Sequence, residues 1–569
     1  MSRLVSRALL LALLAVAVLA PAARAEWTTY HADPGRSGVD WSAGSPVPFG
    51  AAWQSAALGG RSWSEPLVHA GLVIVATQSN DVIALSAASG QVVWRTNAGT
   101  PVPSSALPCG NISPTVGITG TPVLDPATNT VYAVADLWDG SHATHELIAL
   151  DAQTGAERFR RGVDPSGSQP LNQLQREGLA LDGGRVLIGY GGNDGDCAQY
   201  KGYLVNAPAN NAGPNGQYQV PTTRGGAIWS GGGAPAIDAA GSVYVPTGNA
   251  ASSDPNNYDH GDTLEKLDPA GNQLDSFAPS SWAKDSGADA DLGSVATQLL
   301  PGGLAYQGGK NGNGYLVNTA RLGGIGGELY SAPVCNSFGA DAYANGVIYV
   351  ACSGGVRALS LDVAHARFAK LWQGPSDATG PPIVAGGLVW VTAPGQGMLY
   401  GLDPQSGAVR VRQSTPAMEH FITPAASDGR LFLGTGDTVQ AYTIGTGLPA
   451  SSPASGAPLV KAPATSPALR CTGRLALGLR APRRDRVVDA RVLLGGRTVA
   501  HRGRGRGLTH MTFAAPSGRH SFTLRVVERT ARGRRLKFTV VYRNCRRVIH
   551  HQRHPSRRAR RAPKRPAAH

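Results

Sequence analysis

The chain has 569 residues, with 74 Gly and 40 Pro but only 16% charged residues, a composition that excludes a helical bundle and points to many short strands joined by turns. The net charge of +15 is unevenly placed: Cys471 to His569 hold 27 Lys and Arg against 3 Asp and Glu, and the rest of the chain holds 25 against 34. The large N-terminal part is therefore mildly acidic, and the basic character belongs to the C-terminal fifth. Of the 6 Cys, none has a CxxC or CxxCH spacing, which excludes a zinc ribbon and covalent haem.

In chain order, residues 1–25 read as a signal peptide. Arg3 and Arg7 precede an apolar run, LLLALLAVAVLA at 9–20, and Ala23-Arg24-Ala25 supplies a cleavage pattern. A secreted or cell-envelope location follows. The run is short for a membrane span, and no later stretch is long and apolar enough to be one.

A repeat begins at residue 71. GLVIVATQSNDVIALSAASGQVVW (71–94) is an apolar strand, a turn, a strand ending in Ala-Leu, a turn carrying Gly, and a strand ending in Trp. It returns as TVYAVADLWDGSHATHELIALDAQTGAERF (130–159) and GLVWVTAPGQGMLYGLDPQSGAVRV (387–411), with weaker copies at 185–208, 242–277, 304–320, 346–362 and 430–444. Each unit is a small antiparallel sheet that cannot bury both faces alone, and radial stacking around a channel solves that. The eight copies predict an all-β fold: an eight-bladed β-propeller over 26–447. The last copy is one strand short, and the segment at 27–57, with Trp27 and Trp53, is expected to complete it.

Residues 448–469 form a Pro/Ala/Ser linker. Short strands over 470–546 predict a small β-sandwich, and 547–569 form a basic tail without apolar periodicity, expected to be disordered. An even number of Cys in an exported chain predicts three disulfides. Cys335–Cys352 and Cys471–Cys545 are pairs within one structural unit, and Cys109–Cys197 follows by elimination.

The repeat, AL-D-x-x-TG followed by an aromatic, resembles the pyrroloquinoline quinone (PQQ) repeat, and the resemblance covers nearly all of 27–444. That family includes quinoprotein dehydrogenases and noncatalytic propellers. The stretch GGAIWSGGGAPAIDAAGSVYVPTGN (225–249) is similar to the dehydrogenase segment in which a Trp lies under the quinone and the Asn of TGN binds calcium. The resemblance thus implies Trp229 as a cofactor-binding residue and Asn249 as a metal ligand. GADADLGS (287–294) stands where the dehydrogenases have a D-x-W-D motif, which implies Asp289 as catalytic base. GGKNGNGYLVN (308–318) matches their K-N-G, which implies Lys310 beside the quinone oxygens. The types suit the chemistry: a flat tri-acid needs an aromatic face and cations, a hard cation polarises a quinone carbonyl, and a carboxylate takes the alcohol proton.

Three features depart from the dehydrogenase pattern. The usual Glu ligand to calcium has no clear equivalent, and Asp194 or Asp196, in GGNDGDCAQYKG, are the expected substitutes. Ala288 replaces the Trp of D-x-W-D. Cys109 is followed by Gly110, so a disulfide between adjacent Cys is impossible.

Two functions follow as expectations. One is a secreted dehydrogenase, dependent on PQQ and Ca²⁺, that oxidises an alcohol or sugar and passes electrons to a separate acceptor. The other is a noncatalytic extracellular propeller that binds protein or polysaccharide. In either case the basic tail is expected to meet an anionic envelope polymer or lipid rather than nucleic acid.

Overall fold

The computed structural model describes residues 26–41, 48–444 and, in pieces, 474–550, and the chain divides into two compact units that meet in sequence at Ser452 and Pro453. The expected signal peptide, the linker at 448–469, the Cys471–Cys545 pair and the basic tail lie outside the described residues. No described helix is long and apolar enough to cross a membrane.

Within each repeat, burial falls from the first strands to the last. In the first sheet Leu72–Ala76 and Asp81–Ser86 are almost wholly buried, while Val92–Asn97 exposes all but Trp94 and Thr96. The second sheet repeats this, from buried Thr130–Trp138 to largely exposed Glu157–Gly162. A strand covered on both faces reads as a continuous apolar run, and a strand at the rim alternates.

Eight antiparallel sheets result, over 67–97, 123–162, 180–219, 236–278, 298–333, 342–373, 383–414 and 425–443. The fourth gains a short fifth strand, Gly324–Ile325, parallel to Gln273–Ala278. Each apolar cluster is shared by neighbouring sheets. Ile74 and Ala84 of the first sheet meet Val131 and Ile148 of the second, and Tyr244 of the fourth meets Tyr315 of the fifth. One cluster joins Trp390 of the seventh, Phe432 of the eighth and Val73 of the first, which closes the ring. Stacked this way, neighbouring sheets of the first unit cover one another's apolar faces.

The repeat's Trp and Gly form one contact. Trp94 donates its indole N–H to Ala152 O at 3.0 Å and covers Gly155 of the next sheet's turn. Trp372 does the same with Pro404 O at 3.1 Å and Gly407. Gly155 and Gly407 have φ of +70°, and a Cβ on either would lie 2.5 Å from the indole. These turns need glycine for both backbone conformation and space.

The N-terminal segment supplies the strand missing from the last sheet, as expected, and part of it takes a second task. Among the described residues, Gly50–Gln54 form that strand, pairing antiparallel with Thr438–Thr443. Trp53 then caps the first sheet through Ala87 O at 3.0 Å and Gly90, the same contact used elsewhere in the ring.

Residues 27–40 instead run along the first strands of six sheets. Their backbone bonds reach Val68, Leu124, Ile237, Leu299, Tyr343 and Val384, where unpaired N–H groups at the channel edge need partners. Arg36, 1% exposed, sits among them. It donates to Thr29 Oγ1 at 2.8 Å, Tyr30 O at 2.7 Å and Pro235 O at 2.9 Å. Glu65 accepts from the Trp27 indole and the His31 amide, both at 2.8 Å, and burial pushes its carboxyl up to about 8.

Two disulfides form as expected, Cys109–Cys197 and Cys335–Cys352. The second joins the end of the fifth sheet to the sixth instead of closing one repeat. The first spans 88 residues, and Cys109 Sγ lies 3.7 Å from where a Cβ on Gly195 would be, so it braces the loop carrying Asp194 and Asp196. Replacing both Cys109 and Cys197 by Ser is expected to lower the unfolding free energy by about 2–5 kcal/mol, measured by denaturant titration.

Among the described residues the second unit has a two-stranded sheet, Arg474–Gly478 with His510–Ala514, and a five-stranded antiparallel sheet. Along Ser521–Thr530 the alternation is clear: Leu524 and Val526 are buried, while Arg525 and Arg529 are exposed.

Candidate functional site

Strand order decides which loops share a face. In a four-stranded antiparallel sheet, the loop between strands two and three and the connection to the next sheet lie at the same end. Asp194 and Asp196, Asn249 and Lys310 lie in second-to-third loops of the third, fourth and fifth sheets. Trp229 and Asp289 lie in the connections leading into the fourth and fifth sheets. All six line one cavity of ≈ 810 Å³.

At its centre is a charge cluster. Lys310 Nζ donates to Asp289 Oδ1 at 2.9 Å and pairs with Asp291 Oδ2 at 2.6 Å. Asn249 Nδ2 donates to the same Asp289 oxygen at 2.8 Å, and the Asn249 amide donates to Asp291 Oδ1 at 2.7 Å. The Lys310 ammonium is 5.7 Å from the Trp229 ring centroid, within cation–π range.

The two carboxylates differ in setting. Asp291 has a side chain only 10% exposed, and burial raises its pKa although Lys310 opposes the shift. Asp289 has a side chain 74% exposed and a left-handed backbone, φ +52°. For Lys310, burial favours the neutral form, but Asp291 and Asp289 outweigh it and the pKa is raised. The ammonium is therefore a fixed charge with two carboxylate partners, one buried and one open to the cavity.

Asp194 and Asp196 reach the cavity but do not join this cluster. Asp196 accepts the Tyr200 hydroxyl at 2.6 Å, and the charge of Asp194 acts on His420. Among the described residues no group of three or more His, Cys, Asp and Glu is placed to hold a metal ion. The Asn249 Oδ1, however, is buried and has no hydrogen-bond partner. It is a free hard oxygen beside two carboxylates.

Sequence reading missed an aromatic wall and a cation. Phe421 packs edge-on to Trp229 at 6.1 Å and stacks with Phe338 at 5.7 Å. His420 lies against Phe421 and Trp63. Burial and the nearby Arg176 push its pKa down to about 4, so its ring is neutral at physiological pH. Arg176 lines the same cavity. Phe338, His420 and Phe421 sit in sheet-to-sheet connections, and only the strand count used above would have placed them on this face.

The sequence profile of a PQQ-repeat family, described as outer membrane protein assembly factor BamB, matches residues 39–257 and 363–549. The chain belongs to this PQQ-repeat propeller family. No curated protein matches the sequence. Among solved structures, the quinohemoprotein alcohol dehydrogenase of Comamonas testosteroni aligns with a TM-score of 0.56 and 17% identity, covering 78% of this chain and 84% of that one. A quinohemoprotein alcohol dehydrogenase of Pseudomonas putida HK5 gives 0.56 and 15%, covering 78% and 83%. BamB of Moraxella catarrhalis gives 0.48 and 16%, covering 70% and 98%. At these identities the likeness to the two dehydrogenases establishes the PQQ-repeat propeller fold, and function rests on the site.

Proposed function

We propose that this chain is an exported eight-bladed propeller that holds a PQQ-type quinone in the funnel and oxidises an alcohol or sugar. A separate acceptor takes the electrons. The observation that carries this reading is the Asp289 carboxylate, open to the cavity and held by the Lys310 ammonium and the Asn249 amide at 2.9 and 2.8 Å. Three residues from separate loops meet at one oxygen.

The residues present fit such a group. Trp229 offers a flat face, and Lys310 and Arg176 offer cations to a planar acid. The Asn249 Oδ1 would hold a hard cation such as Ca²⁺, completed by a carboxylate and by oxygens of the ligand in place of an all-protein cage. Asp194 and Asp196 are the remaining acids at the cavity wall. The bound quinone supplies the two-electron acceptor. Asp289 takes the hydroxyl proton of the substrate, which its exposure permits and its hydrogen bonds orient. Lys310 stays charged through Asp291 while Asp289 changes protonation state. The aromatic wall of Phe421 and Phe338 narrows access of water to the reacting face.

Adding PQQ and Ca²⁺ to the purified chain is expected to produce a protein-bound quinone absorbance and dye-coupled oxidation of some member of an alcohol and sugar panel. Absence of both would sink the enzyme reading. The second reading, a noncatalytic binding propeller for protein or polysaccharide, is supported by the matching family profile, which is described as outer membrane protein assembly factor BamB. In both readings the basic C-terminal part attaches the propeller to an anionic envelope polymer or lipid.

A further inference from the structure

Arg176 is 5% exposed and lines the funnel, yet it has no acidic partner among the described residues. Its Nη1 donates to Thr119 O at 3.1 Å, and its Nη2 has no hydrogen-bond partner. The two groups placed to act on it are engaged elsewhere. Glu419 pairs with Arg61 at 3.0 Å, and the Tyr30 hydroxyl bonds Thr423 at 3.1 Å. Glu177, next in sequence, accepts from Ser230 Oγ at 2.7 Å through one oxygen, while the other, buried and without a hydrogen-bond partner, lies against Gly189.

The surroundings leave room for this cation instead of neutralising it. The guanidinium carbon lies 5.8 Å from the Trp63 ring centroid. On the other side is Gly232, where a Cβ would come 2.5 Å from Nη1. The neighbouring His420 ring is neutral and brings no competing charge. Arg36 shows the contrast: it is equally buried, but its donors are spent on Thr29, Tyr30 and Pro235. A buried cation with an unused donor is strongly unfavourable unless an anion reaches it.

We propose that Arg176 is the anchor for a carboxylate of the molecule that occupies the funnel. A guanidinium suits this because its planar fork binds a carboxylate with two parallel hydrogen bonds. The inference rests on the funnel being the ligand site. The carboxylate belongs either to a quinone acid of the PQQ class or to an acidic substrate such as a sugar acid.

The test measures binding of PQQ and, separately, of gluconate to the full chain, by calorimetry and tryptophan quenching, with Arg176→Met and Arg176→Lys beside the wild type. At least one probe is expected to bind the wild type and to lose about 30-fold or more in affinity in Arg176→Met. Arg176→Lys should retain part of the affinity. The melting temperature of Arg176→Met should equal or exceed that of the wild type, because an unpaired buried charge has been removed. Equal binding by wild type and Arg176→Met, or no binding of either probe to the wild type, overturns the assignment. So does a lower melting temperature with unchanged affinity, which makes Arg176 a structural residue. If gluconate binds through Arg176 and PQQ does not bind, the anion subsite stands and the quinone reading falls. If PQQ binds regardless of Arg176, the reverse holds.

Discussion

Asp289→Asn is expected to abolish dye-coupled turnover in the PQQ- and Ca²⁺-loaded protein while leaving quinone absorbance and melting temperature nearly unchanged. The side chain is 74% exposed, so its removal opens no cavity. Lys310 keeps its bond to the buried Asp291 at 2.6 Å and remains charged. What disappears is the one carboxylate at the centre of the cluster that is open to a substrate hydroxyl. Loss of a positioned general base lowers the rate by about 10²–10⁴-fold. Asparagine is the better first substitution because residue 289 has φ +52°, a conformation Asn tolerates and Ala resists. Asp289→Ala should give the same loss of rate with a small further loss of stability. Retention of more than about a tenth of the wild-type rate by Asp289→Asn, against that expectation, would remove Asp289 from the mechanism.

Arg36→Leu is expected to lower the unfolding free energy by about 3–5 kcal/mol, read as a large drop in denaturant midpoint. The guanidinium donates to Pro235 O, Tyr30 O and Thr29 Oγ1. Leucine leaves all three buried acceptors without a donor, and each orphaned group costs about 1–3 kcal/mol. The damage should not stay local, because residues 27–40 connect the first strands of six sheets. Arg36→Leu and Arg176→Met thus make a matched pair. Both remove a buried guanidinium, but only the first removes a saturated one, so the two stabilities should move apart. An Arg36→Leu protein as stable as the wild type would show that the segment at 27–40 contributes little to closing the channel.

The repeats made the sheets legible because each encodes its own turn chemistry. Gly155 and Gly407 mark turns that must adopt positive φ beneath an indole, and Trp94 and Trp372 mark the strands that supply it. The predicted N-terminal strand was found, but residues 27–40 went elsewhere. Their sequence has no alternation, since they satisfy edge N–H groups of six different strands instead of following one. Trp229, Asn249, Asp289 and Lys310 were legible as one group because they fall in loops at the same end of consecutive sheets. Asp194 and Asp196 reached the cavity for the same reason, but spacing could not say that the Tyr200 hydroxyl would engage Asp196. Arg176 gave no signal in LQREGLA. An arginine becomes informative only when its partners can be counted.

By itself the sequence determined the all-β class, the repeating unit and the end of the sheets at which the six candidate residues gather. These are local properties of strand alternation, turn glycine and strand parity. Tertiary structure decided which charges meet. It brought Asn249 and Lys310 from separate loops to one oxygen of Asp289, gave each nitrogen of Arg36 a partner, and left the Nη2 of Arg176 without one. Those outcomes depend on distances of a few ångströms between residues far apart in the chain, and electrostatic and hydrogen-bond energies change steeply over such distances.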